Sequence, residues 1–375
     1  MAADDTFRLL IDAVQASGCQ TKVFAGVIAE LPVECIARGV EAGRTFGVDC
    51  VVGIGGGSCL DAAKVIALLL AHGGKPADYY GEFNVPGPIL PLICLPTTSG
   101  TGSEVTPVAV LTDPDRAVKI GIASPYLIAR TAICDPELTY TCPASLTAVS
   151  GADALTHAIE AFTTARRDPV ATLVHDHVFI GKNTFSDYYA LQAVEHIGAS
   201  LKPAVKNGED IVARERLMFG ALAAGLAFGT AGTAAAHAVQ YPVGAMTHTP
   251  HGTGVAVMMP YVMQFNRDWC TGEIAEIGRA LGAPMPGETS IDAADAAIDA
   301  VATLFHEIGI PNSLRDLGIV TEQLPTIVEQ ALGSARLIKN NPRPMDGPSM
   351  KLLVEAAFTG DRSVLAGRQD ERKAS

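Results

Sequence analysis

The sequence predicts two domains of different class: an α/β domain over residues 1–143 and an all-helical domain over residues 144–375. In the first part, short apolar runs alternate with helical patterns, which is typical of helices packed on a buried parallel sheet. After residue 143 the strand signals stop, and the chain becomes rich in Ala and Leu with helical periodicity. A chain of 375 residues is also longer than one ordinary hydrophobic core supports. We therefore expect two separate cores.

The α/β domain begins with a helical pattern, because the apolar side chains of DTFRLLIDAV recur at helical spacing. Apolar runs bounded by Gly or Pro predict strands at TKVFAGV (21–27), DCVVGI (49–54) and LPLICLP (90–96), with helices at 33–46 and 58–71. Two further strand patterns, in PVAVLTDPDRAVKIGI, flank Asp113-Pro114-Asp115 and predict a hairpin. No buried-strand run precedes the first helix, so we expect the first strand of a doubly wound sheet to be lacking.

Helical periodicity dominates the second domain. It predicts helices at about 145–162, 187–201, 211–228, 250–265, 292–308 and 321–332. A further helix, TAAAHAVQY, is expected to break at Pro242 and Gly244. The polar end of the chain, GDRSVLAGRQDERKAS, is expected to fray. This domain is therefore expected to be a helical bundle.

Composition excludes several classes of partner. The formal net charge of −13 argues against binding to nucleic acid or to an anionic membrane surface, which needs clustered Lys and Arg. No run approaches the ~20 apolar residues that span a bilayer, and the acidic N-terminus does not resemble a signal peptide. The eight cysteines form no CxxC pair, a pattern typical of reduced thiols in a cytoplasmic protein.

A glycine-rich turn follows the second predicted strand. Gly55, Gly56 and Gly57 precede a helix that is expected to open at Ser58, so backbone N–H groups and the helix dipole can meet a phosphate group. The alternative is a tight turn in which Ser58 caps the helix and pairs with Asp61. A second loop, PTTSGTGSEVT at 96–106, follows the next strand and is rich in Thr, Ser and Gly. Loops at the carboxyl ends of neighbouring strands favour a nucleotide site.

Candidate metal ligands open the helical domain. Asp153 and His157 are four residues apart, so both side chains project from one helix face that is otherwise apolar. His237 and His251 occupy two later helical segments, whereas His248 lies in a loop between them. One carboxylate and three imidazoles suit Fe²⁺ or Zn²⁺ and leave room for a substrate oxygen. The alternative is an Asp–His hydrogen bond that joins two helices.

Several motifs, in this order along the chain, resemble those of the iron-dependent (group III) alcohol dehydrogenase family, which has the dehydroquinate-synthase-like fold. They are GGGSCLDAAK, PTTSGTGSEVT, DPELT, GADALTHAIEAF, HAVQYPVGAMTHTPH and NNPRP, and together they cover about residues 50–345. The resemblance implies that Asp153, His157, His237 and His251 are the metal ligands and catalytic residues. It implies that the cofactor contacts are Gly55, Gly56, Gly57, Ser58, Asp61, Thr97, Thr98, Thr101, Ser103 and Lys119. Lys64 matches the same motif, either as a contact or as a structural residue.

The implied activity is that of an NAD(P)-dependent and metal-dependent alcohol dehydrogenase or aldehyde reductase, with Fe²⁺ or Zn²⁺. The expected substrate is a small or medium alcohol or aldehyde, and the expected assembly is a homodimer in the cytoplasm. The alternatives are an oxidoreductase for a polyol or hydroxy acid, or a non-catalytic nucleotide-binding protein.

Two departures from the family pattern bear on this activity. Tyr241 stands where many members carry a second histidine, so a proton relay through that imidazole is not expected. Without the first strand and its acidic end, NAD(P) binding is expected to be weak and poorly selective.

His175 and His177, in a segment longer than usual, are expected to be surface residues.

Overall fold

The computed structural model describes residues 5–114, 119–284 and 289–366. The chain separates into two compact units. The first comprises Met1–Thr98 and Ser103–Thr141, and the second comprises Ser99–Gly102 and Cys142–Ser375. The first unit is mixed α/β, and the second is helical throughout its described part, as the predicted fold class requires.

In its described residues, the first unit holds three α-helices and six short strands. The helices are α1 (Asp5–Ala16), α2 (Val33–Phe46) and α3 (Gly57–His72). The strands are β1 (Val51–Gly55), β2 (Gly81–Glu82), β3 (Leu92–Pro96), β4 (Val108–Leu111), β5 (Ile120–Ala123) and β6 (Thr131–Ala132). One sheet is parallel in the order β1-β3-β6, with Val51 opposite Leu92 and Gly55 opposite Pro96. In the other sheet, of order β2-β5-β4, β4 and β5 form the predicted antiparallel pair, although residues 115–118 of their connection lie outside the described residues.

Helix α3 forms the core of this unit because its side chains are buried along most of its length. Val65 and Leu68 of α3 pack in one cluster with Ile36 of α2 and Ile122 of β5. The C-terminal ends of β1 and β3 lie in register in one parallel sheet, so the loops that follow them start at the same sheet edge.

The strand predicted at TKVFAGV is wrong. In the described residues, no strand precedes β1, and the segment from residue 19 to residue 28 has no ladder partner. Its apolar residues are only partly used by the core: Phe24 and Val27 pack against it, whereas Val23 and Ile28 are 44% and 57% exposed. An apolar run forms a strand only where a neighbouring strand supplies its hydrogen bonds, and the run itself does not encode that neighbour.

The second unit is built from eleven helices in its described part. They are α4 (Ala144–Thr163), α5 (Leu173–Asp176), α6 (Thr184–Lys206), α7 (Ile211–Ala231), α8 (Ala235–Thr247), α9 (His251–Asn266), α10 (Thr271–Ala280), α11 (Ser290–Glu307), α12 (Leu324–Gly333), α13 (Ala335–Ile338) and α14 (Gly347–Thr359). All six helices predicted from periodicity are present. Three short helices (α5, α10 and α13) and α14 were not predicted. The end of the chain expected to fray lies largely outside the described residues.

Helix α8 does not break at Pro242, which corrects the prediction. It continues to Thr247 with Pro242 in its interior. An interior proline costs about 3 kcal/mol in an isolated helix, but Pro242, Val243 and Gly244 are all buried here. Tertiary packing therefore outweighs the local penalty. A Cβ at Gly244 would lie 2.6 Å from Gln240 Nε2, so a larger residue there would displace the end of that side chain.

Within the described part of the chain, no single helix has the length and apolar character needed to cross a membrane. Only α7 and α8 taken together meet that test, as a pair bent by 103°.

Candidate metal centre

Asp153 and His157 lie on α4, a deeply buried helix of the second unit. Every side chain from Ser150 to Thr163 on this helix is buried, because α6, α7 and α9 pack around it. Asp153 and His157 are 3% and 5% exposed. The i,i+4 spacing therefore does what the sequence predicted: it places a carboxylate and an imidazole side by side in an apolar interior.

The structure brings His237 and His251 to the same place. His237 lies in the first turn of α8, and His251 is the first residue of α9. The Nε2 atoms of the three imidazoles surround Oδ1 of Asp153 at 3.7 Å (His157), 3.9 Å (His237) and 3.8 Å (His251). One ligand atom from each of the four residues falls within a set no wider than 4.8 Å. A tetrahedral ion with ligand bonds of ~2.0–2.3 Å separates its ligand atoms by about 3.3–3.8 Å, so the set has the dimensions of one ion.

Hydrogen bonds fix the tautomers of two of these imidazoles. His237 Nδ1 lies 2.6 Å from Glu160 Oε2, and His251 Nδ1 lies 2.7 Å from Gln240 Oε1. A carboxylate and an amide oxygen can only accept, so both Nδ1 atoms carry a proton, and in the neutral ring the lone pair then lies on Nε2. In the described part of the structure, Nε2 of His237 is buried without a hydrogen-bond partner. A lone pair on His237 Nε2 and the carboxylate of Asp153 are both acceptors, so no hydrogen bond can join them. A cation placed between them would satisfy both.

The ring of His157 is held between two other rings. It stacks on Phe228 at 4.2 Å between centroids and on His237 at 4.8 Å. Burial, followed by the neighbouring imidazoles of His237 and His251, holds the pKa of His157 well below its ordinary value. Neutral imidazole is the form that binds a metal, so the surroundings favour the ligand state.

His251 is the most accessible member of the set, with 28% of its side chain exposed. Tyr241 lies one helical turn after His237, and its ring stacks near the ring of His251, with the two ring centroids 6.2 Å apart. His248 ends α8 in a left-handed conformation (φ 54°) and is exposed, as expected. His175 is exposed and His177 half-buried, and neither belongs to the cluster.

Sequence reasoning missed the residues that support the ligands. Glu160 lies three residues after His157, and Gln240 lies three residues after His237, so each shares a helix face with a candidate ligand. That spacing is the only signal the sequence carries for them. Phe228 carries none, since its contact with His157 joins α7 to α4.

The glycine turn of the first unit starts the helix one residue earlier than predicted. Helix α3 begins at Gly57 with Gly56 as its N-cap, and no side chain caps it, so the alternative in which Ser58 caps the helix is wrong. A Cβ at Gly55 would lie 2.5 Å from Cys59 Cβ, and one at Gly56 would lie 3.3 Å from Thr98 Oγ1. Close backbone approach therefore requires glycine at Gly55, and the first N–H groups of α3 have no side-chain cap.

Asp61 has a different partner from the predicted one. Its carboxylate accepts hydrogen bonds from Ser103 Oγ at 2.6 Å and from the backbone N–H of Val110 at 2.9 Å. Burial raises the pKa of Asp61, while Lys64 and these hydrogen bonds act in the opposite direction. Asp61 and Ser103 thus join α3 to the polar loop and to β4, which makes them structural supports of that loop.

The two lysines of the motifs are both engaged within the first unit. Lys64 is fully buried, and its Nζ donates to the carbonyls of Thr106 and Val108, each at 2.8 Å. This is the structural role that the sequence left open. Lys119 Nζ lies 2.9 Å from Glu30 Oε2 and is 17% exposed.

The predicted threonine contacts lie in the loop after β3. Thr97 is buried and donates its N–H to the carbonyl of Gly55, whereas Thr98 and Thr101 are half-buried. This loop is therefore tied to the glycine turn through the backbone.

The chain consists of an α/β unit followed by a helical unit, and the helical unit carries a buried set of one Asp and three His side chains. These features define a class of two-unit proteins that are suited to bind one divalent metal ion. Within that class, residues 1–136 match the iron-containing alcohol dehydrogenase family, and residues 147–358 match the C-terminal part of the Fe-containing alcohol dehydrogenase family. The chain belongs to this family of metal-dependent oxidoreductases, as the sequence motifs predicted.

Individual relatives agree with this assignment. A long-chain-alcohol dehydrogenase 1 of Geobacillus thermodenitrificans is 37% identical over 358 residues, which cover 94% of this chain and 86% of the relative. The crystal structure of a 1,3-propanediol oxidoreductase superposes with a TM-score of 0.88 at 32% identity, covering 96% of this chain and 90% of that one. A sulfoacetaldehyde reductase from Bifidobacterium kashiwanohense, solved in complex with NAD⁺, superposes with a TM-score of 0.78 at 29% identity, covering 94% of this chain and 90% of that one. The chain is thus an alcohol dehydrogenase, and none of these matches favours the non-catalytic alternative.

Proposed function

We propose that the chain interconverts a small or medium alcohol and its aldehyde with NAD or NADP, using one divalent ion held by Asp153, His157, His237 and His251. The observation that carries this proposal is the convergence of these four side chains on a set no wider than 4.8 Å. Asp153 and three neutral imidazoles are ligands that both Fe²⁺ and Zn²⁺ accept. When bound, such an ion acts as a Lewis acid that lowers the pKa of an alcohol and stabilises its anion during hydride transfer.

The residues of the chain supply the geometry for this chemistry. Asp153 contributes the negative charge, and two of the imidazoles are held in place by Nδ1–H hydrogen bonds to Glu160 and Gln240. His251 is the half-exposed member, so the substrate approaches from its side. Tyr241 borders that side, with its ring stacked near the ring of His251.

The first unit supports nicotinamide nucleotide binding. Gly55, Gly56 and Gly57 permit close approach of a pyrophosphate to the backbone, and Ser58 follows in the first turn of α3. Thr97, Thr98, Thr101 and Lys119 remain proposed contacts. Asp61 and Ser103 act by holding the loop, since their side chains bond to each other. The relative solved with NAD⁺ supports a nicotinamide cofactor, and NAD or NADP remains the proposed range.

We further propose a homodimer in the cytoplasm. All eight cysteines are free thiols, five of them only partly accessible or exposed, which is typical of a reducing compartment. The names of the relatives include a long-chain-alcohol dehydrogenase, a 1,3-propanediol dehydrogenase and a sulfoacetaldehyde reductase. The substrate class is therefore proposed from the family and not from the shape of a pocket.

Elemental analysis combined with a turnover screen tests the proposal. The purified chain is stripped of metal, reloaded with Fe²⁺ or Zn²⁺, and assayed for nicotinamide absorbance against a panel of alcohols under NAD⁺ and NADP⁺. We expect about one ion per chain and turnover that is lost on stripping and returns on reloading. Full turnover in the stripped protein, or metal content unchanged in an Asp153→Asn variant, would refute it.

A further inference from the structure

Glu160 is a charged side chain that is completely buried and that contacts a proposed metal ligand without belonging to the ligand set. It lies on α4 at 0% exposure, one turn after His157. Its carboxylate accepts three hydrogen bonds: Oε1 from the N–H of Ala236 at 2.7 Å, and Oε2 from the N–H of Ala234 at 2.9 Å and from His237 Nδ1 at 2.6 Å. All three donors belong to the start of one helix, α8.

Helix α8 cannot cap its own N-terminus. Its N-cap is Ala234, which has no side-chain acceptor, so the first N–H groups need a partner from elsewhere. Glu160 supplies that partner from a different helix, and an anion is favourable at this end of the helix dipole. The same oxygen that binds Ala234 also binds the His237 ring, so the position of the helix and the orientation of the imidazole depend on one carboxylate.

We infer that Glu160 is a positioning residue that sets the tautomer and orientation of His237 and thereby the metal affinity of the site. This inference rests on the proposed metal centre. Both carboxylate oxygens already accept backbone N–H groups, so the Nδ1 atom of His237 is left as the donor and its Nε2 as the lone pair directed to Asp153. With a divalent ion bound, the two negative charges of Asp153 and Glu160 balance the charge of the ion, which favours a divalent cation in this buried place.

A glutamine at this position cannot reproduce the arrangement. Its amide offers one oxygen and one NH₂ group, and whichever way it turns, the NH₂ group faces a backbone N–H of Ala234 or Ala236. If the NH₂ group takes the place of Oε2, it can only donate to Nδ1, which drives the proton of His237 to Nε2 and removes the lone pair. Glu160→Gln therefore changes the chemistry of the contact with almost no change in size.

The chain offers a matched control at the same turn. Asn340, of the NNPRP motif, donates from Nδ2 to the carbonyl of Thr233 at 3.1 Å, and its own carbonyl accepts from Ala165. It thus holds the segment before α8 without touching the His237 ring. Asn340→Ala loosens the same helix start but leaves the acceptor of Nδ1 in place.

The experiment compares the full-length wild type, Glu160→Gln and Asn340→Ala. Zn²⁺ affinity is measured by competition with a chelator, thermal stability is measured without metal, and the tautomer of His237 is read by NMR of histidine-¹⁵N-labelled, metal-free protein. The His237 signal is assigned by its loss in His237→Asn. We expect Zn²⁺ binding to weaken by about 10- to 100-fold in Glu160→Gln, with a shift of the proton toward Nε2. Asn340→Ala should lower the melting temperature without a comparable loss of Zn²⁺ affinity or a change of tautomer.

Two results would overturn the inference. One is a wild-type His237 that carries its proton on Nε2, a result that does not depend on the folding of Glu160→Gln. The other is a Glu160→Gln protein that folds and keeps both the tautomer and the Zn²⁺ affinity. If the wild type itself fails to bind Zn²⁺ or Fe²⁺, the proposed function falls, whereas the tautomer of His237 still decides the role of Glu160. If Glu160→Gln does not fold, Glu160→Asp, which keeps the charge, takes its place.

Discussion

His251→Ala and His248→Ala form a matched pair of substitutions that tests the ligand assignment. The two histidines are three residues apart, but only His251 contributes its Nε2 to the cluster, 3.8 Å from Asp153 Oδ1. His248 lies at the end of α8, exposed and in a left-handed conformation. The same change of side chain therefore removes a proposed ligand in one case and a surface imidazole in the other.

The structure sets the expected magnitudes. Loss of one of four ligands should weaken metal binding more than the ~10- to 100-fold caused by losing a supporting residue, so we expect more than about 100-fold, or about 2.7 kcal/mol. His251→Ala also removes the donor to Gln240 Oε1. Because His251 is 28% exposed, water replaces that donor, and the cost to folding should stay near the lower end of ~1–3 kcal/mol. His248→Ala should change metal affinity by less than the error of the measurement, and stability by up to about 0.5 kcal/mol.

Chelator competition with Zn²⁺ or Fe²⁺ measures the affinity, and turnover is measured at saturating metal. We expect His251→Ala to lose metal and turnover together and His248→Ala to keep both. Equal, mild effects of the two substitutions would show that His251 is not a ligand, and the geometric argument for the site would be refuted.

Three further predictions concern the first unit and the buried thiols. Lys64→Ala leaves one buried and one partly buried backbone carbonyl without this donor, so chemical denaturation should show a loss of about 2–5 kcal/mol in the free energy of unfolding, while Zn²⁺ affinity stays at the wild-type value. Gly55→Ala should weaken NAD(P)H binding in a fluorescence titration, because its Cβ would lie 2.5 Å from Cys59 Cβ; Gly272→Ala, which meets nothing within 4 Å, is the control, and equal binding by both would count against the glycine-turn site. Burial raises the pKa of Cys270 from 9.0 to about 12, so the folded state keeps a proton that the unfolded state loses above pH 9. Stability should therefore fall as pH rises from 9 toward 12, and Cys270→Ala should flatten that fall; an unchanged slope would show that this thiol does not contribute to it.

The sequence by itself determined what depends on neighbours along the chain. The i,i+4 spacing of Asp153 and His157 places both on one helix face whatever the rest of the protein does. Turn residues and alternation predicted the β4–β5 hairpin, and long runs of helical periodicity predicted the six main helices of the second unit. The order of the motifs indicated the family, and with it His237 and His251, which no local pattern connects to Asp153.

Only the tertiary structure decided the features that depend on contacts between distant segments. The segment at 21–27 has strand-like residues but no partner in the described structure, and α8 continues through Pro242 because it is buried. Ser58 does not cap α3, since the helix already begins at Gly57, and Asp61 bonds to Ser103. Glu160 becomes the cap of α8 across 74 residues of sequence. In these cases, contacts between distant segments, or the lack of them, outweigh local preferences of a few kcal/mol at most. Such contacts follow no periodicity along the chain, so the sequence alone does not predict them.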